Sequence, residues 1–234
     1  KISKKSNVYI ENCFKVALDI LKKNRINKFI NGPISKKHFL KGSFLGITEY
    51  LANKTQKNNK VAMLIYNKHL SVSPITTHLP LKEVHKNISI KKIISQKNLI
   101  NKFYKKNFNK KPKIAITGLN PHCESNFESS EEDRIIKPAI KFLLKKKSDV
   151  DGPFAADTIF MKEQLRKYDV IIGMYHDQVL APLKSLFEFD AINITLGLPF
   201  IRVSPDHGPN YIMVGKNKSN PESLIKALKF LDNK

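Results

Sequence analysis

Short apolar runs bounded by turn residues alternate along this chain with longer segments of helical period. That alternation confines it to the α/β class. Residues 7–23 carry apolar side chains at three- and four-residue spacing and predict an amphipathic helix. Lys28–Asn31 predicts a short strand ended by Gly32-Pro33, and Thr48–Thr55 a helix. Val61–Tyr66 and Leu70–Thr76 flank Asn67-Lys68 as the arms of a hairpin. Ser89–Lys105 predicts a lysine-coated helix, Lys113–Thr117 a buried strand, and Glu131–Lys145 a helix with acidic residues in its first turn. Asp169–Met174 predicts a strand with a helix after His176, Ile192–Thr195 another strand, and Pro221–Leu231 a closing helix with proline at its start. The expected sheet is mainly parallel, and the hairpin adds a mixed element. The lysine-rich stretch Lys102–Lys113 is a candidate lobe junction or a surface loop.

The length of 234 residues allows one large α/β unit or two smaller lobes. No stretch has the length and apolarity of a membrane span. The start, Lys-Ile-Ser-Lys-Lys-Ser, has neither the apolar core of a signal peptide nor an initiator methionine, so the expectation is a fragment. Cys13 and Cys123 form no CxxC pair, which fits free thiols in a reducing cytoplasm. The net charge of +22 raises the question of a nucleic-acid or anionic-membrane partner. Among 42 basic residues, however, only Arg25, Arg134, Arg166 and Arg202 are arginines, the residue that bidentate base contacts favour. The lysines are spread along the chain. The reading is a compositional bias giving solvated lysine faces, with no nucleic-acid or membrane partner and some attraction for anionic substrates.

Histidines stand in three short motifs, each where a predicted strand gives way to a loop or helix: His78 in Thr-Thr-His-Leu-Pro, His122 in Gly-Leu-Asn-Pro-His and His176 in Met-Tyr-His-Asp-Gln. Strand ends in an α/β protein converge on the edge where ligands bind. Three neutral imidazoles gathered there make a site for a divalent metal with open positions; the bland alternative for each is a structural histidine. Asp177 can orient the His176 ring. Arg202 interrupts the apolar run Leu198–Val203, which calls for an internal salt bridge or a bound anion. Lys184 and Asn193 join it as a set suited to a phosphate monoester. Asp206-His207-Gly208 is a polar turn that can supply a ligand, a cofactor contact or nothing. Asp157 in Ala-Asp-Thr is by default a helix cap. Gly32–Lys36 is a tight turn into a helix and a candidate anion site. The absence of a Walker loop, GxGxxG and GxSxG argues against a P-loop NTPase, the common Rossmann dehydrogenase and an α/β-hydrolase.

Taken in order, these segments resemble the 4-hydroxythreonine-4-phosphate dehydrogenase family of pyridoxal phosphate biosynthesis. The phrases are Asn31-Gly-Pro-Ile-Ser-Lys36, Gly46-Ile-Thr-Glu-Tyr50, Thr76-Thr-His-Leu-Pro80, Gly118-Leu-Asn-Pro-His122, Gly152-Pro-Phe-Ala-Ala-Asp-Thr158, Met174-Tyr-His-Asp-Gln178, the run from Asn193 to Arg202, and Asp206-His-Gly208. The resemblance implies a fold like that of isocitrate and isopropylmalate dehydrogenases, with two lobes, and residues 1–234 as one dehydrogenase-like unit lacking an amino-terminal segment. It implies a cytoplasmic homodimer with a shared active site and a small phosphorylated substrate. A divalent metal (Zn, Mg, Co or Mn) would be held by His78, His122 and His176. Thr48, Lys184, Asn193 and Arg202 would bind substrate, and Asp206, His207 and Gly208 would lie at the NAD or NADP site. Lys184 or Asp157 would relay the proton.

The implied chemistry is oxidation of a secondary alcohol by NAD to a β-keto acid, which loses carbon dioxide. Two departures matter. Ile47 stands where the family usually has a histidine that contacts substrate, and Cys123–Ser130 replaces a glycine-rich stretch beside the cofactor region. They keep two alternatives open: a sister dehydrogenase for threonate or erythronate 4-phosphate, and a non-catalytic basic binding protein on a decayed dehydrogenase scaffold.

Overall fold

The structure is a computed structural model that describes residues 3–23, 26–58, 60–124 and 129–233. Arg25 and residues 125–128 of the loop after His122 therefore lie outside the described residues. The chain divides into two compact units, residues 1–61 with 189–234 and residues 62–188. The crossings fall at Val61–Ala62 and Glu188–Phe189. They do not fall in Lys102–Lys113, whose first part continues a helix because its apolar positions stay in helical register.

The first unit contains α1 (Lys4–Lys22), β1 (Lys28–Ile30), α2 (Lys36–Leu40) and α3 (Ile47–Lys54) from its amino-terminal part. The carboxy-terminal part returns as β7 (Ile192–Leu196), β8 (Ile201–Pro205) and α9 (Glu222–Asp232). Ser3 caps α1 by accepting from the Ser6 backbone N–H, and Ser6 returns a bond to the Ser3 N–H, so the helix starts earlier than its apolar period suggests. The inner stripe of α1, Phe14, Leu18 and Leu21, packs with Leu40, Ile47, Tyr50 and Leu51. Burying each such side chain contributes ~1.5–3 kcal/mol. β1 pairs parallel with β8, and β8 pairs antiparallel with β7. β8 is a strand where only an apolar run containing Arg202 was evident.

The second unit is a sheet in which β2 (Ala62–Tyr66) pairs antiparallel with β3 (Ser71–Thr76), as the hairpin reading expects. β3 then pairs parallel with β6 (Val170–Tyr175), β6 with β4 (Ile114–Thr117), and β4 with β5 (Val150–Phe154). Every residue of β4 and all but the last of β6 are buried, the mark of strands covered on both faces. α4 (Val84–Asn87) leads into α5 (Ile90–Phe108), whose Ile93 and Ile100 are fully buried. α5 meets the β3 face that carries Ser71 and Ser73: Tyr104 donates to Ser71 at 3.0 Å, and Gln96 to Ser73 at 2.8 Å.

The segment read as one helix from Glu131 is a π-helical turn, Glu132–Ile136, running into α6 (Lys137–Lys145). Pro138 has no N–H to give the preceding turn, and the register widens there to a Lys137 N–H bond to Glu132. α7 (Lys162–Leu165) and α8 (His176–Phe187) complete this unit. Because β3, β4 and β6 are parallel, their carboxy-terminal ends share one edge, and residues 76–78, 117–122 and 174–176 leave from it.

Gly197, after β7, has φ +89°, and a β-carbon there would come within 2.1 Å of the Lys60 carbonyl oxygen. Gly197→Ala should cost ~2 kcal/mol or more, from the left-handed strain and the clash together. For a chain of this size that lowers the thermal midpoint by about 4–8 °C. Gly208→Ala, where an added β-carbon meets nothing within 4 Å, should unfold with the wild type. Parallel melting curves check the contrast, and equal midpoints would refute the strain argument.

Candidate functional site

In the second unit a polar lattice ties the three histidine-bearing strand ends together. The Thr76 hydroxyl donates to the Met174 carbonyl at 2.8 Å, joining the end of β3 to the end of β6. Gln178, in the first turns of α8, folds its carboxamide back over β6. Its Oε1 accepts from the Met174 N–H at 2.7 Å and from the Thr117 hydroxyl at 2.9 Å, and its Nε2 donates to the Gly118 carbonyl at 2.8 Å. The donors and acceptors that the ends of β4 and β6 leave open are thus met by one buried side chain.

Glu132 does the same for the loop to His122. It is fully enclosed; Oε1 accepts from the Leu119 and Asn120 N–H groups at 2.7 and 2.8 Å, and Oε2 from Asn120 Nδ2 at 2.8 Å. Burial alone would raise its pKa, but the donors of Asn120 and Leu119 outweigh it and hold the carboxyl below its ordinary value. Gly118 is needed beside it, since a β-carbon there would come within 2.7 Å of Cys123 Sγ and 2.9 Å of Glu132 Oε1. His122 and Cys123 take the left-handed conformation, with φ of 57° and 59°, which is uncommon for residues with a β-carbon and recurs at functional sites.

The His78 and His176 rings lie 5.7 Å apart between centroids. Asp177 Oδ1 is 2.6 Å from His176 Nδ1, a contact that orients the ring and favours Nε2 as its ligating nitrogen. Among the described residues of one chain, no three His, Cys, Asp or Glu side chains gather as metal ligands, so His122 does not close a three-histidine group with this pair. Lys184 lies roughly two turns along α8 from His176, half-buried. Asp157 is exposed in a turn after β5, and α7 takes Met161 as its N-cap residue without a side-chain bond, so Asp157 does not cap it. The chain passes through a turn before α7, which leaves Asp157 too far back to reach that helix's first N–H groups.

The first unit holds the other set. Thr195 and Arg202 are direct partners across the β7–β8 register, so both side chains leave the same face, with Asn193 two residues along β7. Arg202 is 3% exposed. Its Nε donates to Asn31 Oδ1 at 2.8 Å and its Nη1 to Thr195 Oγ1 at 3.1 Å. Both partners are neutral, so among the described residues the internal salt bridge, one of the two readings of the sequence, is not formed: the oxygens at hand belong to an amide and a hydroxyl. Burial lowers the guanidinium pKa to about 10, with Glu49 nearby opposing the shift. Asn31 Nδ2 donates to the Gly32 carbonyl at 2.9 Å, which turns its oxygen towards Arg202. Thr48, at 4% exposure, has its hydroxyl 3.3 Å from that of Thr195. The Asn193 side-chain oxygen is buried and makes no hydrogen bond among the described residues.

Lys36 begins α2, and burial of its ammonium lowers its pKa even though much of the residue is open to solvent. Ile47 sits in the apolar cluster beneath α1, not among the polar groups. Asp206-His207-Gly208 follows β8; the Asp206 N–H donates to Ser223 and the His207 ring packs edge-on to Phe189. Sequence reasoning missed Asn31, Thr195, Glu132 and Gln178 as individual residues. The buried cation at Arg202 is the signal that could have led to the first two.

A mainly parallel sheet with flanking helices and polar strand ends is an α/β fold. Isocitrate dehydrogenase from Methylococcus capsulatus shares that fold, with TM-score 0.54 and 12% identity over 93% of this chain and 70% of that one. The family model described as pyridoxal phosphate biosynthetic protein PdxA matches residues 1–231, and the chain belongs to that family. It is 45% identical over 229 residues to a 4-hydroxythreonine-4-phosphate dehydrogenase of Sulfurihydrogenibium sp., covering 96% of this chain and 69% of the relative. It is 34% identical to a D-threonate 4-phosphate dehydrogenase of Salmonella typhimurium, covering 93% of this chain and 67% of the relative. The crystal structure of 4-hydroxythreonine-4-phosphate dehydrogenase from Klebsiella pneumoniae matches with TM-score 0.83 and 31% identity, over 100% of this chain and 72% of that one. The chain spans 61% to 69% of the length of the first three curated relatives it matches.

Glu132 also yields a pH signature. A carboxyl held below its ordinary value of 4.5 stabilises the fold above that value, and the contribution is lost as pH falls through the folded value. Glu132→Gln should cost roughly 1–3 kcal/mol at neutral pH, because a buried donor is left without its acceptor. The gap between wild type and variant should narrow in acid. Urea unfolding from pH 7 to pH 3 measures it, and a gap that widens towards low pH would contradict the assignment.

Proposed function

We propose that this chain carries the NAD-dependent, divalent-metal-assisted oxidation of 4-phosphooxy-L-threonine to a β-keto acid. The product then loses carbon dioxide to give 3-amino-2-oxopropyl phosphate, in pyridoxal 5'-phosphate biosynthesis. Family membership and relatives bearing the name 4-hydroxythreonine-4-phosphate dehydrogenase support the reading. The observation that carries it is Arg202: a guanidinium at 3% exposure, held by two neutral oxygens and, among the described residues, by no carboxylate ion pair. A charge so placed is stabilised by an anionic partner from outside the chain, and a phosphate monoester presents oxygens that match its fork.

The donor chemistry of the strand-end imidazoles fits a divalent metal. His78 and His176 are neighbours within one chain, and His176 is oriented by Asp177. Two imidazoles in one chain suit a site that a second copy helps to complete, with His122 as the further ligand, and so a homodimer. When bound, the metal supplies Lewis acidity at the substrate hydroxyl and NAD supplies the hydride acceptor. The chain's own residues bind and orient: Arg202, Thr48 and Asn193 hold the phosphorylated end, Lys184 is a further substrate-binding residue, and Asp206, His207 and Gly208 border the nicotinamide cofactor. Lys184 or Asp157 takes up the proton of the alcohol as it is oxidised.

A second reading is favoured by Ile47, an apolar residue packed into the core where the resemblance implies a substrate-contacting histidine. It is oxidation of D-threonate 4-phosphate, the substrate in the name of the Salmonella typhimurium relative. Comparing kcat/KM for the two phosphorylated substrates decides between them.

Two tests address the site. His78→Ala and His176→Ala should each abolish stoichiometric metal binding, read by metal analysis of purified protein alongside its mass in solution. Full metal content in either variant would remove the imidazole site from the proposal. Arg202→Ala should weaken the phosphorylated substrate by roughly 10–150-fold, the worth of one charge-assisted contact, and spare its unphosphorylated analogue. Arg202→Lys should also lose affinity, since an ammonium does not reproduce the planar fork. Equal weakening of both substrates would make Arg202 a structural residue.

A further inference from the structure

Thr195 touches both Arg202 and Thr48. We propose that Thr195 is a positioning residue for phosphate recognition: its hydroxyl accepts from Arg202 and donates to Thr48, leaving the Thr48 proton for an oxygen of the bound phosphate. This rests on the phosphate reading above.

Donor counting fixes the Arg202 end of the chain, and the proposal assigns the Thr195–Thr48 end. A guanidinium has no acceptor, so in the 3.1 Å contact with Arg202 Nη1 the Thr195 oxygen must accept. Thr195 then has one proton to place. The residue is 3% exposed, and among the described residues the only other oxygen that its hydroxyl meets is Thr48 Oγ1, at 3.3 Å. With Thr48 accepting there, its own proton is unassigned. Thr48 is the second residue of α3, whose N-cap residue is Gly46, so no carbonyl four residues back within the helix is available to take it. Thr48 is 4% exposed and makes no other side-chain hydrogen bond among the described residues.

The guanidinium also keeps Nη2 donors that neither Asn31 nor Thr195 occupies. A hydroxyl proton and guanidinium protons left over around one buried threonine suit an oxyanion. The cation at the head of the chain polarises both hydroxyls in the same sense, which strengthens the last donor. The 3.3 Å spacing is long for a hydroxyl pair, so Thr48 is not locked to Thr195 and can close on a ligand oxygen.

The test uses inorganic phosphate as the probe, titrated calorimetrically into the protein, together with KM for the phosphorylated substrate. Thr195→Val keeps the side-chain shape and removes the hydroxyl; it should weaken phosphate about tenfold, and Thr195→Ser should bind close to wild type. Thr48→Val should weaken it comparably. The double variant should lose less than the product of the two single losses, because both interrupt one chain. KM should rise in the valine variants with kcat largely kept, a split that general loosening of the fold would not give.

If Thr195→Val does not fold, Thr195→Ala and the Thr48→Val comparison carry the test, with circular dichroism confirming the fold. Wild-type phosphate affinity in folded Thr195→Val or Thr195→Ala, or strictly multiplicative losses in the double variant, would overturn the relay. If those variants bind normally and Arg202→Ala loses phosphate, the relay fails and the phosphate reading stands. If Arg202→Ala also binds normally, the phosphate reading fails with it.

Discussion

The carboxamide of Gln178 is the constraint on which the imidazole edge depends. Parallel strands end with unpaired carbonyls and N–H groups, and each such group costs about 1–3 kcal/mol if buried without a partner. A glutamine is suited to this place because it offers acceptor and donor on one planar group. Here it takes Met174 and Thr117 on its oxygen and gives its nitrogen to Gly118. A glutamate would lose the donor and a methionine both functions. Met174 stands two positions before His176, and Thr117 and Gly118 stand five and four before His122, so satisfying these groups also sets where the histidines begin. Thr76 extends the arrangement to the strand that leads to His78. Position is thereby fixed on strand ends instead of long loops, which is where a site needs rigidity.

The buried guanidinium solves the complementary problem in the other unit. Arg202 lies on a strand between apolar neighbours, so removing it from water is expensive. Asn31 and Thr195 satisfy two of its donors without neutralising it. A carboxylate in either place would cancel the charge and leave little pull for a ligand. The amide and hydroxyl fix the plane of the fork without neutralising the charge, so the cost of burying it is carried by the fold.

Much of the fold was legible because period and punctuation were strong. The hairpin around Asn67-Lys68, the buried strands at Lys113–Thr117 and Asp169–Met174 and the helix from Ser89 all appear close to where the pattern placed them. β5 was missed because its residues Val150–Phe154 include Gly152-Pro153, which punctuate a turn in most contexts. The π-helical turn was missed because Glu132–Ile136 shares its apolar period with the helix that follows. At the site, histidine and arginine announce themselves by type. Asn31, Thr195, Glu132 and Gln178 do not, since each is an ordinary surface or cap residue until tertiary contacts enclose it.

Ile47 shows how recognition and packing meet at adjacent positions of one helix. Consecutive residues of an α-helix leave the axis about 100° apart, so Ile47 and Thr48 address different surroundings. Thr48 turns to Thr195 and the buried cation, while Ile47 joins Phe14, Leu18, Leu21, Leu40, Tyr50 and Leu51. That neighbourhood is rich in rings: the centroids of Phe14, Phe39 and Phe44 lie 5.2, 5.4 and 5.6 Å from that of Tyr50, and Phe14 and Phe39 lie 5.8 Å apart. A histidine in the same place would set a polar ring among apolar groups that offer it no hydrogen bond, at a cost that isoleucine avoids. The position thus contributes to holding α1 against α3, while Thr48 carries the polar contact of this end of α3. At the start of α3 the chain presents a hydroxyl that meets Thr195, itself bonded to Arg202, with an isoleucine and no imidazole beside it.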